Sequence, residues 1–144
     1  HASGPPPVAL VVDDDRAVRA VVARQLVRLG WAVRAFAGGV DVLAWLGETA
    51  PHEQPTLVVS DVDMPGLSGL DLARVLRRDY PALGVLLISG RGAPGLTAVS
   101  LDPEQAGRPP AWLLGKPYEL AELATAVERT VLARWGAPRA RRTM

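Results

Sequence analysis

The residues SDVDMPGLSG, at positions 60–69, hold the strongest structural signal in this sequence. They follow the apolar run TLVV at 56–59, which has the composition of a strand covered on both faces of a parallel sheet. Met64-Pro65-Gly66 indicates a turn, and Ser68 with Asp71 three residues later resembles a capping box that starts a helix. A buried strand, an acidic residue, a turn and a helix in this order indicate part of a βαβ unit.

Working outward, apolar runs alternate with helix-like segments along most of the chain. We predict strands at residues 8–12, 31–36, 56–60, 84–88 and 111–114, and helices after Asp15, at 39–46, after Ser68 and at 118–135. This alternation is typical of an α/β fold with a parallel sheet. Residues 90–110 are rich in proline and glycine, and one short helix at about 96–101 is the only element predicted there.

Composition limits the classes of function. The chain has 144 residues, 49% of them hydrophobic, and a formal net charge of +1. That length fits one domain, predicted at 8–135, between a disordered segment or cloning remnant at 1–7 and a basic tail or linker at 136–144. Nucleic-acid binding by this domain is not expected, because the only basic cluster is Arg139, Arg141 and Arg142 in the tail.

No apolar run reaches the ~20 residues of a membrane helix. The absence of cysteine fits a reducing compartment, so we expect a cytoplasmic protein without contact with a membrane.

Polar residues of complementary kinds follow four of the predicted strands. They are Asp13 and Asp14, Asp61, Ser89 and Lys116. Because the carboxyl ends of parallel strands form the active edge of such sheets, we expect these side chains to meet there. Asp61 is the candidate nucleophile, since an aspartate can form an acyl phosphate. Clustered carboxylates repel one another, and a bound Mg²⁺ relieves that repulsion, while Lys116 and Ser89 can bind phosphoryl oxygens.

Each of these signals also has an ordinary structural explanation. The acidic residues 13–15 could simply begin a helix, where negative charge is favourable. Ser89 alone would be a strand-end hydroxyl, and Lys116 alone a surface charge. However, Lys116 is the single lysine among 16 Lys and Arg residues, so its position favours an ammonium group. The ordered set therefore favours a phosphoryl-transfer site.

The sequence resembles the receiver domain of bacterial response regulators and hybrid histidine kinases. The resemblance rests on VVDDD (11–15), SDVDMPGLSG (60–69), LLISG (86–90) and GKPY (115–118), and it spans about residues 8–135. It implies a flavodoxin-like fold with a single doubly wound, five-stranded parallel sheet in the order 2-1-3-4-5.

The resemblance also implies a role for each site residue. Asp61 would be the phosphoacceptor, assisted by Lys116 and Ser89. The Mg²⁺ ion would be held directly by Asp14 and Asp61, through water by Asp13 and by the backbone carbonyl of Asp63. A cis bond is expected between Lys116 and Pro117.

In such a domain the phosphoryl group comes from a histidine kinase or a histidine phosphotransfer domain, and phosphorylation switches the conformation. We therefore expect a signalling receiver that catalyses only its own phosphorylation and dephosphorylation, with an unidentified output target and with homodimerisation as one mode of assembly. One departure concerns the aromatic residue that the family usually has three positions before the lysine. Here that position is Leu113, and Trp112 should face the opposite side of the strand.

Two other classes stay open. Asp61-Val-Asp63 after an apolar strand also resembles the nucleophile motif of haloacid-dehalogenase-type phosphatases, although those enzymes carry it on their first strand. A pseudo-receiver that only binds partners is the other alternative, and the leucine at position 113 is the feature that favours it.

Overall fold

The computed structural model describes residues 4–101 and 110–133. Its six strands are β1 (Val8–Val12), β2 (Ala32–Phe36), β3 (Leu57–Asp61), β4 (Gly84–Ser89), β5 (Gly95–Val99) and β6 (Ala111–Gly115). The helices are α1 (Arg16–Arg28), α2 (Gly39–Glu48), α3 (Gly69–Asp79) and α4 (Leu120–Leu132), with a 3₁₀ turn at Pro51–Glu53. None of the helices described is long and apolar enough to cross a membrane.

The strands form one sheet in the order β2-β1-β3-β4-β6-β5. The first five strands of this order run parallel, and β5 runs antiparallel to β6 at the edge. The predicted α/β fold and the predicted order of the parallel strands are therefore confirmed, with β6 as the fifth parallel strand. The predicted number of five strands is wrong, because β5 adds a sixth.

The short helix predicted at about residues 96–101 is wrong, because Gly95–Val99 is the edge strand β5. Thr97 pairs with Leu113 of β6, and Val99 pairs with Ala111. Both Thr97 and Val99 are β-branched, which favours a strand over a helix. Gly95 has φ of 108°, a conformation that suits glycine and turns the chain into the strand. Residues 102–109 of the proline- and glycine-rich stretch lie outside the described residues.

Two hydrophobic cores cover the two faces of the sheet. Leu10 and Val12 of β1 point into a core shared with α2 and α3, whereas Ala9 and Val11 point into a core shared with α1 and α4. Burying one large aliphatic side chain contributes roughly 1.5–3 kcal/mol, so these layers fix the sheet between the helices. The alternation also confirms the prediction for β6, since Leu113 packs on the α2/α3 core and Trp112 on the α1/α4 core.

Local signals place the helix ends near the predicted positions. The Asp15 side chain accepts hydrogen bonds from the backbone N–H groups of Ala17 and Val18, so α1 begins at Arg16 as expected. Ser68 accepts a hydrogen bond from the N–H of Asp71 at the start of α3. The last helix begins at Leu120, two residues later than predicted. Its predicted continuation to Trp135, the basic tail and the first three residues of the chain lie outside the described residues.

Candidate functional site

Three aspartates meet at the carboxyl edge of the sheet. Asp13 and Asp14 follow β1, and Asp61 ends β3, the parallel neighbour of β1. Each carboxylate offers one oxygen atom such that all three oxygens lie within 4.8 Å of one another. Asp13 is buried, Asp61 is partly buried and Asp14 is exposed. The geometry predicted for the two strand ends is therefore present, as an acidic pocket open to solvent on one side.

The pocket is electrostatically strained. Burial and the neighbouring Asp13 carboxylate raise the pKa of Asp61 from 3.8 to about 6, against the opposing effect of the Lys116 ammonium. Burial also raises the pKa of Asp13, although a hydrogen bond of 2.8 Å from the Asp15 backbone N–H to its Oδ1 partly offsets this. Because one lysine does not balance the negative charges here, a further cation would be favoured.

The donor set fits a hard divalent cation. Mg²⁺ prefers carboxylate, carbonyl and water oxygens, which the three clustered aspartates and their open side can supply. The side chain of Asp63 is engaged elsewhere, because its Oδ2 lies 3.2 Å from Nε of Arg91. Among the described residues, the cluster of three carboxylates does not include that of Asp63.

A glycine allows the turn after Asp61 to pack tightly. The N–H of Gly69 donates a hydrogen bond of 2.9 Å to the Val62 carbonyl. A Cβ atom at position 69 would collide with the backbone carbonyl of Asp61 and lie 2.9 Å from Cα of Val62. The glycine at the end of SDVDMPGLSG is therefore required for the close approach that fixes the backbone of the candidate nucleophile.

Lys116 and Ser89 reach the same edge from β6 and β4. Ser89 pairs with Gly115, and the backbone N–H of Lys116 donates a hydrogen bond of 2.8 Å to the Ser89 carbonyl. The predicted cis peptide bond between Lys116 and Pro117 is confirmed. The ammonium of Lys116 lies close enough to lower the pKa of both Asp61 and Asp13. The hydroxyl of Ser89, by contrast, is hydrogen-bonded to the backbone of Arg91.

Arg91 is the residue of this region that sequence reasoning missed. Nothing in the sequence distinguishes this arginine from the many others of the chain. The pairing with Asp63 depends on how the loops after β3 and β4 approach each other, and neither loop has a regular pattern that would predict this approach.

Comparison with known proteins identifies the family. Residues 9–128 match the response regulator receiver domain. The chain is 35% identical over 122 residues to the DNA-binding transcriptional regulator NtrC of Azospirillum brasilense, covering 85% of this chain and 24% of that protein. It is also 29% identical over 124 residues to the response regulator receiver protein CpdR of Brucella abortus, covering 86% of this chain and 96% of that protein. This chain thus spans about a quarter of the length of the NtrC relatives and nearly all of CpdR.

A solved structure agrees with this assignment. The response regulator receiver protein of Sinorhizobium medicae superposes with a TM-score of 0.70 at 28% identity, covering 90% of this chain and 97% of that one. The family match covers most of the sequence, and the strand order and the acidic pocket are those expected for it. The chain belongs to the response regulator receiver domain family.

Proposed function

We propose that this domain accepts a phosphoryl group on Asp61 from a phosphorylated histidine, with Mg²⁺ as its cofactor. The observation that carries the proposal is the clustering of three carboxylates within 4.8 Å at the ends of β1 and β3. The single lysine of the chain stands at the end of β6, close enough to influence two of those carboxylates. A nucleophile, an acidic site for a cation and an ammonium group are the parts that phosphoryl transfer to a carboxylate requires.

The reaction moves one phosphoryl group between two side chains. A carboxylate oxygen of Asp61 attacks phosphorus, a P–O bond forms, and the P–N bond to the donor histidine breaks, leaving that histidine to take up a proton. Lys116 supplies positive charge to the phosphoryl oxygens, and the Ser89 hydroxyl can donate a hydrogen bond to them. When bound, Mg²⁺ neutralises charge on the phosphoryl oxygens and on the acidic pocket. Asp14, Asp61, the Asp63 carbonyl and, through water, Asp13 would hold it.

The signalling context follows from the family. Receiver domains of response regulators pair with histidine kinases, so we propose a histidine kinase or histidine phosphotransfer domain as the donor and a cytoplasmic location. A receiver domain of the hybrid histidine kinase CckA resembles this chain with a TM-score of 0.64 at 31% identity. We also propose that the phosphorylated domain acts on an output partner and that homodimerisation is one mode of its assembly.

Labelling with a small phosphodonor tests the proposal directly. Incubation with acetyl phosphate and Mg²⁺ should add one phosphoryl mass, which hydroxylamine should remove because an acyl phosphate is sensitive to it. Asp61→Asn should abolish labelling. Asp41→Asn is the matched control, since Asp41 is an exposed aspartate in the first turn of α2, and it should label normally.

Three other results would contradict the proposal. Equal labelling of Asp61→Asn and the wild type would show that the phosphoacceptor is another residue. Failure to label, with acetyl phosphate and with a phosphorylated kinase alike, would favour a pseudo-receiver that only binds partners. Sustained turnover of a phosphomonoester would favour a phosphatase.

A further inference from the structure

We propose that Arg91 is a positioning residue that links the acidic pocket to the edge strand β5. On this proposal, β5 is the element displaced when Asp61 is phosphorylated. This inference rests on the proposed phosphorylation of Asp61 and goes beyond it. It assigns a role to a residue outside the expected site and to a strand that stands where a short helix was predicted.

The backbone of Arg91 is held by one hydroxyl group. Ser89 Oγ accepts a hydrogen bond of 3.0 Å from the Arg91 N–H and donates one of 3.2 Å to the Arg91 carbonyl. Ser89 itself is buried, with 6% of its surface exposed. A buried hydroxyl bonded in both directions restrains the first residues of the loop after β4.

The side chain of Arg91 pairs with Asp63, which lies beside the acidic pocket. Its Nε lies 3.2 Å from Oδ2 of Asp63, two residues beyond the candidate nucleophile. The Asp63 carboxylate is near enough to Asp61 to contribute to raising its pKa. A phosphoryl group on Asp61 would therefore add negative charge beside Asp63 and compete with it for the guanidinium, which binds phosphate oxygens well.

The loop transmits these restraints to β5 through a tight backbone contact. Gly115 of β6 packs so closely on the Ala93 carbonyl that a Cβ atom at 115 would collide with it, and that Cβ would lie 3.0 Å from Cα of Pro94. Gly95, the first residue of β5, pairs with the same Gly115. Only two residues separate Arg91 from Pro94. A displacement of the Arg91 backbone should therefore also displace the backbone at the start of β5.

A phosphoryl group on Asp61 would therefore compete for both contacts of Arg91, for the Ser89 hydroxyl at its backbone and for the guanidinium of its side chain. The Ser89 hydroxyl can donate to a phosphoryl oxygen only by giving up its bond to the Arg91 carbonyl, since a hydroxyl has one proton. The guanidinium would leave Asp63 for the phosphoryl group. Within residues 4–101 and 110–133, β5 pairs with β6 alone, so it is the strand next to this loop that is held on one side only.

Hydrogen–deuterium exchange of the β5 amides tests the inference, in the resting protein and after labelling with acetyl phosphate and Mg²⁺. With Mg²⁺ present in both states, phosphorylation of the wild type should speed exchange in β5 relative to β2, the strand at the opposite edge of the sheet. Arg91→Ala removes one restraint, so its resting β5 amides should exchange about twofold to fivefold faster than those of the wild type, the range expected for an exposed ion pair. The further change on phosphorylation should be smaller than in the wild type, and Arg91→Lys should restore part of it.

Arg78→Ala is the matched control. The Arg78–Asp79 pair is a surface ion pair of similar exposure, 72% and 46% against 83% and 48% for Arg91 and Asp63, and it lies at the end of α3. It should leave β5 exchange at the wild-type rate in both states. Unchanged β5 exchange in phosphorylated wild-type protein, or equal behaviour of Arg91→Ala and Arg78→Ala, would overturn the inference.

The intact mass of each sample separates this inference from the proposed function. A protein that gains the phosphoryl mass and shows no change in β5 contradicts the role of Arg91 alone. A protein that gains no mass contradicts the phosphorylation of Asp61, and the role of Arg91 falls with it.

Discussion

Replacing Asp61 by asparagine should stabilise the metal-free protein at pH 8. The wild-type carboxylate is ionised at that pH in a partly buried position beside Asp13, where burial and repulsion both oppose its charge. Asparagine has nearly the same shape and carries no charge. The substitution therefore removes an unfavourable charge from the folded state and leaves little steric change.

The size of the effect follows from the pKa of Asp61. A rise from 3.8 to about 6 corresponds to at most ~3 kcal/mol, at about 1.4 kcal/mol for each pH unit. Because the side chain is only partly buried, solvent screening reduces this to about 1–2 kcal/mol. In a domain of this size the melting temperature should rise by about 3–8 °C.

The dependence on pH has a definite sign. A folded-state pKa raised above the unfolded value means that the folded protein holds the proton more tightly. The stabilisation from that proton is complete below about 3.8 and is lost as the pH rises through about 6. The advantage of Asp61→Asn should therefore be full at pH 8, smaller at pH 5 and nearly absent at about pH 3.

Thermal unfolding in the presence of a chelator, followed by circular dichroism at each pH, measures this advantage. Glu128→Gln is the control for loss of one negative charge, since Glu128 is exposed on α4, and it should change the melting temperature little. Adding Mg²⁺ should raise the melting temperature of the wild type more than that of Asp61→Asn. If Asp61→Asn melts below the wild type at pH 8, or if its advantage is the same at pH 5, the description of the pocket as electrostatically strained is incorrect.

Other substitutions test the remaining parts of the site. Asp14→Asn should weaken Mg²⁺ binding about tenfold or more, as the loss of one charged ligand implies, which a calorimetric titration would measure. Lys116→Arg should keep the fold but slow phosphorylation of Asp61, measured as phosphoryl uptake from acetyl phosphate, because a planar guanidinium cannot occupy the place of a compact ammonium. Gly69→Ala should cost about 1–3 kcal/mol in urea unfolding, since its Cβ meets backbone atoms, whereas Gly47→Ala in α2 has open space and should stabilise by about 0.5–1 kcal/mol.

The parallel core of the fold could be predicted because its signals are local and repeated. Continuous apolar runs identify β1, β3 and β4, which are buried on both faces, and a polar residue ends each of these strands or directly follows it. The acidic cluster follows from this order, because neighbouring parallel strands bring their carboxyl ends together. Family resemblance then added the expected roles of the site residues, which pattern alone could not supply.

The edge of the sheet could not be predicted in the same way. The strand β5 has five residues, two of them exposed, so its hydrophobic pattern is weak. Its formation depends on pairing with β6, which begins more than ten residues later in the chain. The local sequence alone is equally compatible with a short helix. The ion pair between Arg91 and Asp63 was missed for the related reason that it joins two irregular loops.

The antiparallel edge strand also bears on the solubility of the protein. In the five-stranded arrangement, the strand that leads to Lys116 would be the outermost strand of the sheet, with one row of backbone groups available to pair with other chains. Here β6 lies between β4 and β5, so its apolar sequence AWLLG is enclosed on both sides. Among the strands of the described residues, the outermost position on this side passes to GLTAV, which is short and has small or polar side chains at its centre. A short, weakly apolar strand is a poor template for intermolecular pairing. The extra strand β5 therefore protects the more apolar β6 against aggregation.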